Sequence, residues 1–160
     1  MKKLITILLA LSLIFCLAAC GGGGSTSQGS EQAQGNSSVD NRLGDYTIEI
    51  KGCRLAEDYE GKPIAIITYG FTNNGDKAAA FYTSITDEAY QGGIGLNECY
   101  FADDNANYDS DNQTKEIKTG ASLDVEVAYT LNDTTTDIEV EVSEWISFSD
   151  KKLTKTFSIK

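Results

Sequence analysis

The chain has 160 residues, with 24 acidic against 13 basic side chains, a net charge of −11 at pH 7 and no histidine. The lack of histidine excludes Ser-His and Cys-His nucleophiles. The acidic balance argues against nucleic acid as a partner, because such a field repels phosphate backbones.

The first 19 residues predict a secretory signal peptide. Lys2 and Lys3 precede an apolar run from Leu4 to Leu17, and small residues follow it. The run is too short to span a membrane comfortably. Cys20 directly follows Leu17-Ala18-Ala19, which resembles the lipobox of bacterial lipoproteins, in which the thiol is acylated and the chain is cut before it. The alternative is an ordinary signal peptide with a chance cysteine at its end.

Residues 20–43 predict a flexible tether that begins at the lipidated Cys20. The segment is rich in Gly, Ser and Gln and has almost no large apolar side chain, so it cannot bury enough surface to fold. As a coil it reaches roughly 25 Å. Two acyl chains such as palmitate would give stable attachment, since one binds only marginally. We therefore expect a protein held at the extracellular face of the cell membrane through Cys20.

Residues 44–160 predict one domain built from strands, since apolar residues recur at every second position. Residues 46–50 alternate, and residues 64–71 form a nearly continuous apolar run, as expected of a central strand covered on both sides. Asn73-Asn74-Gly75-Asp76 follows, and Asn-Gly between apolar runs predicts a hairpin. Residues 79–86 are the expected return strand.

The second half of the domain continues the pattern. Residues 123–131 alternate over nine positions, and residues 138–142 do so after a turn. Apolar residues continue at every second position toward the C-terminus, at Ile146 and Phe148 and then within residues 153–159. Seven or eight short strands with regularly spaced turns predict an all-β, antiparallel sandwich. We expect Trp145 to pack in the core or at its rim.

Several short motifs carry a family resemblance: residues 46–50, Gly61-Lys62-Pro63, residues 69–74, residues 89–96 and Lys118-Thr119-Gly120. Their order resembles the Gram-positive lipoprotein family known as domain of unknown function 5067. The resemblance implies an immunoglobulin-like sandwich, similar to the immunoprotective extracellular domains, behind a lipobox and a low-complexity tether. It implies no assigned activity. The family usually has Asn where this chain has Gly92.

The domain contains two cysteines, Cys53 and Cys99. Cys16 leaves with the signal peptide and Cys20 carries lipid, so an even pair remains in an oxidising compartment. This count predicts a disulfide between Cys53 and Cys99, with two buried thiols as the alternative.

An acidic loop at residues 103–112 is the first candidate site. It concentrates hard oxygen ligands of the kind that calcium prefers, from Asp103, Asp104, Asp109 and Asp111 and three amides. An EF-hand calcium loop aligned from Asp103 does not match, because the sixth position, which requires Gly, is Tyr108 and the twelfth, which requires Glu, is Thr114. We expect a solvated acidic loop, with no metal site and no cofactor.

A second candidate surface comprises Tyr90, Gln91, Gly92 and Gly93. The glycines expose backbone groups beside an aromatic side chain. The segment predicts either a small binding surface or a β-bulge.

The sequence favours a non-catalytic surface module that binds a protein, a peptide or an envelope component. The chain has no Gly-x-Ser-x-Gly turn, metal triad or phosphate loop. A structural envelope spacer without a discrete ligand is one alternative. A carboxylate-dependent, glycan-acting enzyme is the other, since paired Asp or Glu residues can hydrolyse glycosides.

Overall fold

A computed structural model describes residues 40–159 of the chain. The predictions for the signal peptide, for Cys20 and for most of the tether lie outside these residues. The described part contains nine strands and one short helix, in chain order β1 (Arg42–Leu43), β2 (Tyr46–Glu57), β3 (Pro63–Asn73), α1 (Phe81–Ser84), β4 (Ile85–Gln91), β5 (Ile94–Gly95), β6 (Asn97–Glu98), β7 (Ser122–Thr130), β8 (Ile138–Glu144) and β9 (Leu153–Phe157). Two short 3₁₀ turns, Asp104–Ala106 and Asp111–Gln113, lie between β6 and β7.

The strands form two antiparallel sheets, with the order β1-β2-β3-β7-β6 in the first and β5-β4-β8-β9 in the second. The predicted all-β, immunoglobulin-like sandwich is therefore confirmed. The structure has nine strands where the sequence predicted seven or eight. The sequence missed β1, β5 and β6, which have two residues each and are too short to show a period, and the strand expected at Ile146 and Phe148 is absent between β8 and β9.

The core lies between the sheets and follows from the period-two pattern. Alternate residues of β3 and β7 point inward and are fully or almost fully buried, and the second sheet contributes Ile138, Val140 and Val142. Phe81 of α1 enters this core, with its ring stacked on Tyr69 at a centroid distance of 5.3 Å and edge-on to Phe71 at 5.8 Å. The helix thus closes one end of the sandwich with an aromatic cluster.

A second, smaller core lies on the outer face of the first sheet. Ile64, Ile66 and Ala128 point outward there and are completely buried, because Cys99 and Ala106 of the following segment cover them. This cover explains why β3 is apolar on both faces over residues 64–67, as predicted for a central strand.

The predicted hairpin after β3 is wrong. β3 pairs with β2 and β7, while residues 81–84 form α1 and β4 belongs to the other sheet. The turn carries the chain across the sandwich. Asn73, completely buried, holds this crossing, because its Nδ2 donates to the carbonyls of Lys77 (2.7 Å) and Ile117 (2.9 Å) and its Oδ1 accepts from Gly75 N (2.9 Å).

The predicted disulfide between Cys53 and Cys99 is also corrected, because both residues are free thiols. Cys53 packs against the core between the sheets, and Cys99 belongs to the outer-face core. The first sheet lies between them, so their sulfur atoms cannot meet.

Two further boundaries differ from the sequence prediction. The sequence assigns Leu43 to the tether, but Leu43 is buried and pairs with Tyr46, so the fold begins before residue 44. Ile146 and Phe148 were expected to continue the strand pattern, yet they lie exposed in the connection from β8 to β9. Trp145 is exposed beside them and does not reach the core.

Within residues 40–159, no helix has the length and apolar character needed to cross a bilayer.

Candidate functional site

An open hollow of about 1120 Å³ lies on the outer face of the first sheet. Its floor is formed by outward-facing side chains of β3 and β7, which are Thr68, Asp124 and Glu126. Its walls come from the 58–62 loop and from residues 100–112. The hollow begins where the outer-face core ends, since Thr68 follows the covered Ile64 and Ile66 on the same face of β3.

Backbone hydrogen bonds fix the aromatic wall of the hollow. Tyr59 N donates to Phe101 O (3.3 Å), and Asp103 N donates to Glu57 O (3.0 Å), so the two wall segments are joined. Asp58, which is buried, keeps the 58–62 loop in shape by accepting from Glu60 N and Lys62 N through Oδ1. The rings of Tyr59 and Phe101 consequently meet edge-to-face at a centroid distance of 6.3 Å.

Three aromatic side chains of this wall are largely exposed to solvent. Tyr59 is 67% exposed, Tyr100 is 62% exposed and Phe101 is 71% exposed. The Tyr100 hydroxyl donates to Glu98 Oε2 (2.7 Å), and this hydrogen bond raises the pKa of Tyr100. The wall therefore presents three large aromatic side chains to solvent in one place.

The opposite wall is held to the sheet by Arg54. Its guanidinium donates to the carbonyls of Ala106 (2.5 Å) and Asn107 (2.9 Å) and pairs with Glu126 Oε2 at 3.0 Å. Asn107 is the one residue other than glycine with a positive φ (49°) in the described chain, so the backbone bends sharply where Arg54 binds it.

Two polar side chains reinforce this wall. Gln113 Nε2 donates to the Tyr108 hydroxyl (3.0 Å) and to Glu126 O (2.7 Å). Burial raises the pKa of Tyr108 to about 12, so its hydroxyl is protonated throughout the physiological range.

Five carboxylates line the hollow, from Asp103, Asp104, Asp109, Asp124 and Glu126. Asp124 pairs with Lys51 (2.6 Å) and Glu126 pairs with Arg54. Within the described residues the other three form no ion pair, and none of the residues lining the hollow is Lys or Arg. The hollow therefore combines uncompensated negative charge with exposed aromatic rings.

The predicted acidic loop divides between this hollow and its support. Asp103, Asp104 and Asp109 line the hollow, whereas Asp111 does not. Asp103 Oδ1 accepts from Asn105 N (2.8 Å) and caps the first 3₁₀ turn, and Asp109 Oδ1 accepts from Asp111 N (3.0 Å), so two carboxylates bind backbone amides of their own loop. In residues 40–159, acidic and cysteine side chains form no group of three that could hold a metal ion.

The second predicted surface is split by the fold. Gly92 and Gly93, with φ values of 58° and 79°, form the two-residue turn between β4 and β5, so the segment is a hairpin turn and no bulge. Tyr90 and both glycines line a smaller hollow of about 500 Å³. Gln91 points the other way and is buried, where its Nε2 donates to Asp133 O (3.0 Å) and Thr136 O (2.9 Å). Its role is to hold the 131–136 connection.

Sequence reasoning missed the aromatic wall and the floor of the larger hollow. The signal for the floor lay in β3, where Thr68 and Gly70 interrupt the apolar run on one face only. Tyr100 and Phe101 directly precede the acidic loop, but nothing in the sequence links them to Tyr59, which is about 40 residues earlier.

The model of a family described as a domain of unknown function, DUF5067, matches residues 24–144 of this chain. The chain belongs to this family. A solved structure of a candidate lipoprotein from Staphylococcus aureus is similar to this fold with a TM-score of 0.56 and 18% identity, covering 72% of this chain and 84% of that protein. A protein from Enterococcus faecalis, solved by NMR, is similar with a TM-score of 0.54 and 16% identity, covering 76% of this chain and 92% of that protein.

At these identities, the likeness of the DUF5067 domain to both structures is one of fold alone. No curated protein matches the chain.

Proposed function

We propose that this DUF5067 protein is a lipid-anchored module at the outer face of the cell membrane, and that it binds cationic peptide or protein segments in its acidic, aromatic hollow without catalysing a reaction. The anchor is supported by Cys20, which directly follows Leu17-Ala18-Ala19 at the end of a signal-peptide pattern. The similarity of the fold to that of a candidate lipoprotein agrees with this role.

The combination of charge and aromatic surface carries the binding proposal. Asp103, Asp104 and Asp109 have no ion-pair partner in the described part of the chain, and they lie in one hollow with the exposed rings of Tyr59 and Phe101. An arginine or lysine side chain gains from both features, because the carboxylates attract its charge and an aromatic face provides a cation–π contact.

The net charge of the exported chain supports the same class of partner. Removal of Lys2 and Lys3 with the signal peptide leaves 11 basic residues against 24 acidic ones, a net charge of −13. Such a field accelerates the approach of basic partners and repels polyanions.

Anchoring is tested by replacing Cys20 with Ser. The variant should appear in the medium, whereas the natural protein stays with the membrane fraction after washing without detergent. A variant that remains in the washed membranes would disprove the lipid anchor.

Binding is tested with the detergent-solubilised protein and three labelled peptides of equal length, rich in arginine, glutamate, or glycine and serine. Fluorescence anisotropy should detect binding of the arginine peptide alone, and the affinity should fall with added salt. Phe101→Ala and the double change of Asp103 and Asp104 to Asn should each weaken binding about tenfold.

Ile94→Ala and Asp150→Asn are the matched controls, since both residues are exposed outside the hollow. Equal binding of all three peptides, or equal effects of hollow and control variants, would contradict the proposed site. A protein that binds none of the peptides would instead fit the spacer role.

A further inference from the structure

The connection between β8 and β9 carries three exposed apolar side chains. Trp145 is 61% exposed, Ile146 is 72% exposed and Phe148 is fully exposed. Two local contacts shape the connection: Trp145 N donates to Ser84 O (2.9 Å) at its start, and Ser149 N donates to Ser147 Oγ (3.0 Å) within it. Such a group of large apolar side chains in water indicates a surface that is covered in the working protein.

This apolar loop, residues 145–148, lies at the end of the domain where the preceding chain arrives. Lys151 Nζ, just beyond the loop, pairs with Asp40 Oδ2 at 2.6 Å, and Asp40 is the first described residue. At the start of the loop, the carboxylate of Glu144 occupies the space beside Gly44, whose φ of +55° suits glycine. Both ends of the loop therefore contact the first residues of the fold.

We propose that Trp145, Ile146 and Phe148 insert into the interfacial layer of the membrane that holds Cys20. This inference rests on the lipid anchor proposed above. The 19 residues from Gly21 to Val39, which are polar and rich in Gly and Ser, link the anchor to Asp40. The tether that the sequence predicts would span roughly 25 Å as a coil, which would keep the loop at a high effective concentration near the lipid surface.

The chemistry of the loop fits a lipid interface. Tryptophan prefers the layer between headgroups and acyl chains, and exposed aliphatic or phenyl side chains gain free energy by entering it. The charges beside the loop are also nearly balanced, in contrast to the acidic remainder of the domain. They are Arg42, Lys151 and Lys152 against Asp40, Glu141, Glu144 and Asp150, with Lys152 paired to Glu141 at 2.6 Å, so the net charge of this group is −1. Repulsion from anionic lipids is therefore weaker at this end than elsewhere on the domain.

The test uses Trp145 itself, because it is the chain's single tryptophan. The full protein is purified from membranes with its lipid and reconstituted into phosphatidylcholine vesicles, with and without spin-labelled lipid. We expect tryptophan emission at shorter wavelength than in the detached Cys20→Ser protein, quenching by the spin-labelled lipid, and quenching by acrylamide that is about twofold weaker.

Replacing Ile146 and Phe148 with Ser leaves the probe in place and should remove most of the quenching by spin-labelled lipid. Ile94→Ser is the matched control, because Ile94 is 66% exposed in β5, directly after the turn at the opposite end of the sandwich. This control should leave the quenching unchanged. Thermal unfolding verifies that both variants remain folded.

Each other outcome overturns the proposal in a distinguishable way. A vesicle-bound protein with Trp145 as open to acrylamide as in the Cys20→Ser protein would show that the anchor holds but the loop stays in water. Protection from acrylamide without quenching by labelled lipid would show that a protein surface covers the loop. A protein that does not remain with the vesicles would disprove the anchor and the insertion together.

Discussion

The Tyr129 hydroxyl donates a hydrogen bond to the Asp87 carboxylate, which joins β7 of the first sheet to β4 of the second across the edge of the core. Burial raises the pKa of Asp87 to about 6, and the nearby charge of Glu98 adds to this shift, while the hydrogen bond from Tyr129 opposes it. Burial therefore disfavours the ionised form of Asp87, and the hydrogen bond from Tyr129 partly offsets that cost. Burial also raises the pKa of Tyr129 well above its usual range.

The first prediction concerns pH. The pKa of Asp87 is about 6 in the folded protein against 3.8 for an unperturbed aspartate, so the folded state binds more protons between these values. The free energy of unfolding should therefore decrease as pH rises from about 4 to about 6 and then level off. Asp87→Asn should remove this decrease and raise stability at pH 7 by about 1 to 2 kcal/mol, because the neutral amide still accepts from Tyr129. Urea unfolding at several pH values measures both effects.

Two comparisons make the pH test specific. Asp150→Asn, at an exposed position, should leave the pH profile unchanged. Tyr129→Phe should destabilise the protein by about 1 to 3 kcal/mol, since it leaves the Asp87 carboxyl without its donor. If the free energy of unfolding of Asp87→Asn still decreased between pH 4 and pH 6 as in the natural protein, the assignment to Asp87 would be refuted.

The second prediction concerns the thiols. Cys53 and Cys99 should both be free in the folded protein, since the first sheet separates them, and burial raises the pKa of Cys53. Alkylation should therefore be slow in the folded protein and rapid in denaturant. Peptide mapping by mass after alkylation without reductant should find label on both residues. A linked peptide that contains both cysteines would contradict the structure.

A third prediction addresses the crossing between the sheets. Asn73→Ala removes two donated hydrogen bonds and one accepted bond from a completely buried side chain, so it should lower the free energy of unfolding by about 2 to 4 kcal/mol. The neighbouring Asn74→Ala, at an exposed position, is the control and should cost less than about 1 kcal/mol. Similar losses for the two variants would show that Asn73 does not organise the turn.

The fourth prediction tests how the hollow is supported. Arg54→Lys keeps the charge beside Glu126 but cannot reproduce the forked bonds to Ala106 and Asn107, so it should loosen residues 103–112. Amide hydrogen exchange in that segment should accelerate, with a loss of global stability of about 1 kcal/mol. Lys51→Arg at the more exposed Asp124 pair is the control. Unchanged exchange in the Arg54 variant would contradict this supporting role.

The sequence alone determined most of the long strands and the class of fold. Alternation in residues 46–50 and 123–131, and the continuous apolar run of residues 64–71, report which faces are buried, and burial is what the period of a strand encodes. The DUF5067 family could also be recognised from the sequence, because each of its motifs is a short continuous segment. The leader and Cys20 remain sequence predictions, since they lie outside the described residues.

Only the tertiary structure decided what meets across the sandwich. The turn at Asn73 reads as a hairpin because local turn chemistry does not specify which strand comes next in space, and this one crosses to the other sheet. An even count of cysteines says nothing about the sheet that separates Cys53 from Cys99. In the same way, Tyr59 and Phe101 form one wall only because non-local backbone hydrogen bonds bring distant segments together. Sequence patterns record burial, whereas contacts between distant residues depend on topology.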